Sequence, residues 1–165
     1  MARRCFYSFH YDGDNWRAST VRNIGAIEGS QTVSDNDWET ITKGGDRAIE
    51  SWIAGQMNGK SCTILLIGAA TAGRKWIEYE ITKTWNDGKG IFGIYVHNLL
   101  DRYQRKSAEG NNPFVGFTLK SSGAALSSIV NVYDPPYTQS KDVYNHIAGN
   151  IEDWVDAAIK IRAEY

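Results

Sequence analysis

Ser61-Cys62-Thr63-Ile64-Leu65-Leu66-Ile67-Gly68, followed by Thr71-Ala72-Gly73-Arg74-Lys75-Trp76-Ile77-Glu78-Tyr79-Glu80-Ile81, decides how this chain folds. The first half is a short, nearly unbroken apolar run, the pattern of a strand buried on both faces in a parallel sheet. The second half has helical spacing. Ile77, Ile81 and Trp85 recur at i, i+4 and i+8 and form a face for the sheet, and Thr71 is placed to cap the amino end. Trp76 and Glu80 are also four apart, so an aromatic ring and a carboxylate share a second face. That pair lies just beyond the carboxyl end of a central strand, where open α/β sheets bind their ligands.

Working outward, Arg4 to Phe9 is a β-type run, broken by the loop residues His10 to Asn15. Asn15 or Asp14 then caps a helix through Trp16 and Val21, extending towards Ile24. The stretch from Gly25 to Asp37 is polar, with a weak strand around Ala26-Ile27 or Thr32-Val33. A short helix around Trp38 follows, capped by Asp35 or Asn36. Gly44-Gly45 break it, and a longer helix runs from Asp46 with Ile49, Trp52, Ile53, Gln56 and Met57 on one face. Ile91 to Val96 is a further strand. Residues 98–113 read as a short amphipathic piece (Leu99, Leu100, Tyr103) and a loop, and Phe114 to Phe117 as a brief strand or extended return. Ile129 to Tyr133 is the last strand, and Tyr144 to Arg162 an amphipathic closing helix. Alternating strands and helices predict a parallel sheet covered on both faces: an α/β, flavodoxin-like three-layer αβα fold with a five-stranded sheet in the order 2-1-3-4-5.

At 165 residues with 42% hydrophobic content, the chain is expected to form one domain over residues 1–165. A net charge of −1 gives no bulk field for nucleic acid or an anionic membrane. No apolar run approaches the ~18 residues of a membrane span, and Arg3-Arg4 is not followed by the apolar stretch of a signal peptide. Cys5 and Cys62 read as buried free thiols, without histidine at metal-ligand spacing, and a cytoplasmic location is expected. Six Trp and nine Tyr supply rings for core and pocket alike.

Periodicity alone does not choose a function, because this fold hosts many. There is no Gly-x-Gly-x-x-Gly, no Walker lysine loop and no Gly-x-Ser-x-Gly elbow. A receiver domain would need an aspartate ending its third strand, and Leu66-Ile67-Gly68 has none. From the residues alone, Glu80 is a carboxylate on a helix face, solvated or catalytic. Trp76 is a core ring or a ligand platform, and His10 a loop residue or an acid–base group.

Phe6-Tyr7-Ser8-Phe9 with its acidic loop resembles the first box of TIR domains, and Trp76-Ile77-Glu78-Tyr79-Glu80 resembles their tryptophan-x-x-x-glutamate helix motif. The similarity is greater to the TIR-like branch of bacterial antiphage proteins, as in the Thoeris defence system. It extends over Ser8-Phe9-His10-Tyr11, Trp16-Arg17, Val21-Arg22-Asn23, Trp38-Glu39, Leu66-Ile67-Gly68, Tyr79-Glu80-Ile81 and Asn112-Pro113-Phe114, or roughly residues 3–118. Ile77 stands where TIR domains carry a small residue or cysteine, and their proline-bearing loop is replaced by Gly25 to Asp37.

The resemblance implies an NAD+ glycohydrolase or ADP-ribosyl cyclase. Such an enzyme cleaves the nicotinamide–ribose bond and makes a cyclic ADP-ribose-type signal. It implies Glu80 as the catalytic residue and Ser8, Phe9, His10, Trp38 and Trp76 as substrate-binding residues. NAD+ is then substrate rather than cofactor, and no metal is required. Self-association through TIR-like contacts, a phage-derived trigger and a downstream effector reached through the nucleotide product are implied as well. The alternative is a non-catalytic TIR-like signalling module that binds a partner TIR domain or a nucleotide.

Overall fold

The computed structural model describes residues 3–29 and 35–165. Its elements are β1 (Arg4–Ser8), α1 (Tyr11–Arg22), β2 (Glu28–Gly29), α2 (Asp35–Lys43), α3 (Asp46–Met57), β3 (Cys62–Ile67), α4 (Lys75–Asn86), β4 (Gly90–Tyr95), β5 (Val132–Tyr133) and α5 (Ser140–Ala163). The architecture is α/β with a parallel sheet, consistent with a flavodoxin-like fold. The strands bond in the order β2-β1-β3-β4-β5, and every pairing is parallel. The two outer strands are two residues long, so β1, β3 and β4 carry the sheet.

β3 is buried at all six positions, as its apolar run requires. The two-residue period of β1 separates its side chains. Cys5 and Tyr7 pack with residues of α1 and α5 on one face of the sheet. Phe6 packs on the opposite face against Ile49, Ile53 and Met57 of α3. Leu65, Ile67 and Ile91 meet Ile77 and Ile81 of α4 in a neighbouring cluster. Thr63 of β3 and Thr84 of α4 share a buried hydroxyl–hydroxyl hydrogen bond of 2.8 Å, and Thr84 also donates to the Glu80 carbonyl at 2.7 Å. This polar rivet fixes α4 along the sheet without leaving either hydroxyl unsatisfied.

Several expectations are corrected. Helix α1 begins at Tyr11 with His10 at its N-cap, not at Asn15 or Asp14. Asp14 instead pairs with Arg17 at 2.9 Å, both side chains 3% exposed. Arg17 also donates to the carbonyls of Leu99 and Arg105, so its guanidinium ties α1 to the later loop. Thr71 does not cap α4, whose N-cap is Arg74; its hydroxyl accepts the Gly68 N–H at 2.8 Å. Residues 98–106 form turns rather than an amphipathic helix. Asp101 accepts the N–H groups of Tyr103 and Arg105, a local bond that competes with helix. Phe114 to Phe117 is a turn, not a strand, and Thr118 makes a lone antiparallel bridge to Ala125. The last strand starts at Val132 rather than Ile129. Leu126–Ser128 is a 3₁₀ turn whose continuation brings Leu126 and Val130 together into the core.

The end of β3 is tightly packed. A methyl on Gly68 would lie 2.1 Å from Asp14 Oδ2, whereas one on Gly55, in α3, would meet nothing within 4 Å. Gly68→Ala is expected to lower stability by about 1–3 kcal/mol through overpacking against the buried ion pair. Gly55→Ala is expected to raise it by about 0.5–1 kcal/mol through helix propensity. Paired urea denaturation of the two variants checks both signs.

Candidate functional site

A cavity of about 330 Å³ opens where the carboxyl end of β1 meets the first turns of α1 and α4 and the side of α3. β1 and the start of α1 supply Phe6, Tyr7, Phe9, His10, Tyr11 and Asp12. Trp52 and Ile53 come from α3, and Arg74, Lys75, Trp76, Ile77 and Glu80 from α4 and its N-cap. The walls are thus aromatic and aliphatic, the mouth carries cations, and a carboxyl group lies at the buried end.

Glu80 is only 6% exposed. The Ser8 hydroxyl donates to its Oε1 at 2.8 Å, in a buried bond across 72 positions of sequence. The strand's alternation creates the contact, since Ser8 follows Phe6 onto the face of the sheet that α3 and α4 cover. Burial pushes the Glu80 carboxyl up from its ordinary 4.5 to about 8, and the Ser8 hydrogen bond opposes that rise. Burial therefore favours the protonated form of this carboxyl near neutral pH. A cation brought beside it would draw the proton off.

His10 is held below its ordinary value, first by burial and then by the Arg74 charge, with Asp12 and Asp14 pulling the other way. Its Nδ1 is buried without a hydrogen-bond partner among the described residues, against the first turn of α1 at Gly13. Phe9 stacks with Tyr11, ring centres 6.4 Å apart and planes 28° apart. Trp76 is half-buried. It meets Tyr79 edge-on at 5.5 Å and carries the Lys75 ammonium 4.9 Å from its ring centre. It lines the pocket and also borders the α3 core cluster, so both of its readings have a physical basis. Glu78, two residues before Glu80, is exposed.

The structure thus brings Phe9, His10, Trp76 and Glu80 into one cavity, with Ser8 behind Glu80 as its hydrogen-bond donor rather than as a wall. Trp38 falls on α2, and its side chain lies outside the described residues. The weak strand is found at Glu28–Gly29, whereas Thr32-Val33 lies outside the described residues. Trp52, Tyr11 and Arg74 also line the cavity and were not singled out from sequence. By spacing Trp52 belongs to the apolar face of α3, and Arg74 stands two residues before Trp76. Among the described residues no group of His, Cys, Asp and Glu side chains is arranged to hold a metal, and no helix is long and apolar enough to cross a membrane.

Comparison with known proteins adds two findings. Residues 6–101 match the family described as the TIR-like domain of the Thoeris protein ThsB. A protein of Bacillus cereus (strain MSX-D12) named "Putative cyclic ADP-D-ribose synthase ThsB1" is 36% identical over 133 residues, covering 76% of this chain and 69% of that protein.

The raised Glu80 value makes a stability prediction. Below about pH 4.5 the carboxyl is protonated in both folded and unfolded chains and contributes no pH dependence. Between about 4.5 and 8 the unfolded chain ionises while the folded one resists, so this group lowers stability as pH rises. Glu80→Gln removes that loss. It is expected to melt above the wild type at pH 8.5, with the advantage shrinking towards pH 5, as calorimetry at the two pH values would read.

Proposed function

The chain belongs to the TIR-like family of Thoeris ThsB proteins, and from that premise we propose that it cleaves the nicotinamide–ribose bond of NAD+ and closes the ADP-ribose product into a cyclic nucleotide signal. The observation that carries the reading is the Ser8–Glu80 pair at the buried end of an aromatic-walled cavity. The name of the Bacillus cereus relative supports the same substrate and product class.

The chemistry follows from the site. The nicotinamide ring of NAD+ is cationic and planar. Trp76 offers a ring face or edge for it, with a cation–π contribution of about 0.5–2 kcal/mol. The positive ring favours ionisation of Glu80, whose carboxylate then lies beside the scissile bond. As the bond between C1′ and nitrogen breaks, its electron pair goes to nitrogen and nicotinamide leaves neutral. Positive charge develops on the ribosyl carbon, where the carboxylate stabilises it. A nucleophile then captures C1′: a group of the same ADP-ribose gives the ring, and water gives free ADP-ribose. Aromatic walls that exclude water favour ring closure. The proposal extends to self-association, to a phage-derived trigger, and to an effector that responds to the nucleotide product.

Glu80→Gln keeps the size of the side chain but removes its charge. It is expected to lower nicotinamide release by about 10²–10³-fold, while Glu78→Gln, exposed on another helix face, leaves it near wild type. Chromatography of NAD+ reactions measures both. Equal behaviour of the two variants would turn the assignment to a non-catalytic binding module.

The pH profile offers a separate check. Because the ionised carboxyl is the active form, kcat/KM is expected to rise with pH and level off above about 8 in the wild type. Ser8→Ala removes the hydrogen bond that favours ionisation, so its rise is expected at higher pH. An unmoved profile would deny Ser8 that role.

A further inference from the structure

We infer that Arg74 recognises the diphosphate of the substrate, holding the linker between the two halves of a dinucleotide at the pocket mouth while the glycosidic end lies over Glu80. This rests on the NAD+ reading above and adds a ligand-binding residue to it.

Size comes first. A cavity of about 330 Å³ is at the small end of the roughly 300–1,000 Å³ of ligand pockets. NAD+ carries two bases, two riboses and a diphosphate, so one half fits inside and the diphosphate must cross the rim. Polarity gives the direction. Glu80 marks the buried end, with its Oε1 bonded to Ser8. A diphosphate would be repelled there once the carboxyl ionises. At the exposed end stand two cations, Arg74 and Lys75, and one carboxylate, Asp12, so the cations outnumber it there.

The two are not equivalent. Lys75 is already engaged by Asp46 of α3 at 2.6 Å and by the Trp76 ring. Arg74 is exposed and makes no salt bridge among the described residues. Its Nε donates to the Ala70 carbonyl at 2.9 Å, which anchors the guanidinium, and its terminal nitrogens have no bond to the described residues. A planar guanidinium suits phosphate oxygens by forked hydrogen bonding. The α4 backbone adds to this. Arg74 is its N-cap, with no side-chain cap, so first-turn N–H groups face the same rim. The Arg74 charge is also felt by His10 inside the cavity, which places the guanidinium within electrostatic reach of whatever the pocket holds.

That electrostatic coupling supplies a reporter. The charges bearing on His10 are Arg74, Asp12 and Asp14. A polyanion seated on Arg74 cancels the repulsion of the imidazolium, so the His10 titration should move to higher pH. The test uses the whole chain, wild type and Arg74→Gln, with inorganic pyrophosphate and ADP-ribose as probes. His10 is followed by NMR, and affinity by calorimetry. The expected results are an upward His10 shift with either probe in the wild type, no such shift in Arg74→Gln, and ADP-ribose binding about tenfold weaker in the variant. In turnover, the variant should raise KM for NAD+ more than for nicotinamide riboside, which lacks the diphosphate. Equal ADP-ribose affinity in the two proteins, or no binding of either probe to the wild type, overturns the inference. Arg74-dependent ADP-ribose binding without nicotinamide release would keep the inference and end the NAD+-cleaving reading. Nicotinamide release with Arg74-independent binding would do the reverse.

Discussion

The hydrogen bond from Ser8 to Glu80 depends on nearly everything else in the structure. It requires β1 and β3 to be parallel neighbours, with Ser8 opposite Leu65. It requires the pleat of β1 to turn Phe6 and Ser8 to the α3–α4 face while Cys5 and Tyr7 go to the other. It also requires α4 to be fixed along the sheet, which the Thr63–Thr84 bond and the burial of Ile77 and Ile81 accomplish. A slip of one residue in β1 would place Tyr7 or Phe9 against the carboxyl group and leave a buried acid with no donor. The most costly polar group of the site is thus held by the most rigid part of the fold.

Charge is graded along the pocket. The rim has Arg74 and Lys75, the middle has rings and aliphatic groups, and the end has Glu80. Low polarity in the middle raises the acid's value and also lengthens the reach of every charge nearby, because screening by water is reduced. The same burial that favours the protonated Glu80 carboxyl makes that group responsive to a bound cation. Lys75, tied to Asp46, links the first turns of α3 and α4 at the rim. Being exposed, that pair contributes little stability, and its effect is on the placement of the two helices.

Much of this was legible in the sequence because it depends on periodicity. The β3 run, the i, i+4 spacing on α4 and the break at Gly44-Gly45 each specify an element by local pattern, and each is found. Glu80, Trp76, His10 and Phe9 could be grouped because they follow strands whose ends converge. What was not legible depends on competition between local bonds. Asp14 caps no helix because Arg17 claims it, Thr71 turns back to Gly68, and Asp101 gathers a turn where Leu99, Leu100 and Tyr103 suggested a helix. Trp52 was hidden for another reason. It shares the spacing of the core residues Ile49 and Ile53, and only the placement of α3 over β1 exposes part of that face to a cavity.

The acid's raised value and the proposed reaction fit together through one proton. A cation bound at the closed end lowers the Glu80 value, and by linkage an ionised Glu80 tightens the cation by the same factor. Neutral nicotinamide has no such coupling, so under the proposed reaction charge would distinguish substrate from leaving group. In the proposed cleavage the positive charge would pass from ring nitrogen to C1′, and the carboxylate would serve both positions because they are bonded neighbours. Capture of C1′ by a hydroxyl or by water releases a proton as the positive charge disappears. With the cation gone, burial would again favour the protonated acid, and in the proposed cycle Glu80 would take that proton back. A carboxyl held near its usual value would stay ionised throughout and could not return to this state. The burial that costs stability as pH rises is therefore the property that would let Glu80 begin and end each turnover protonated.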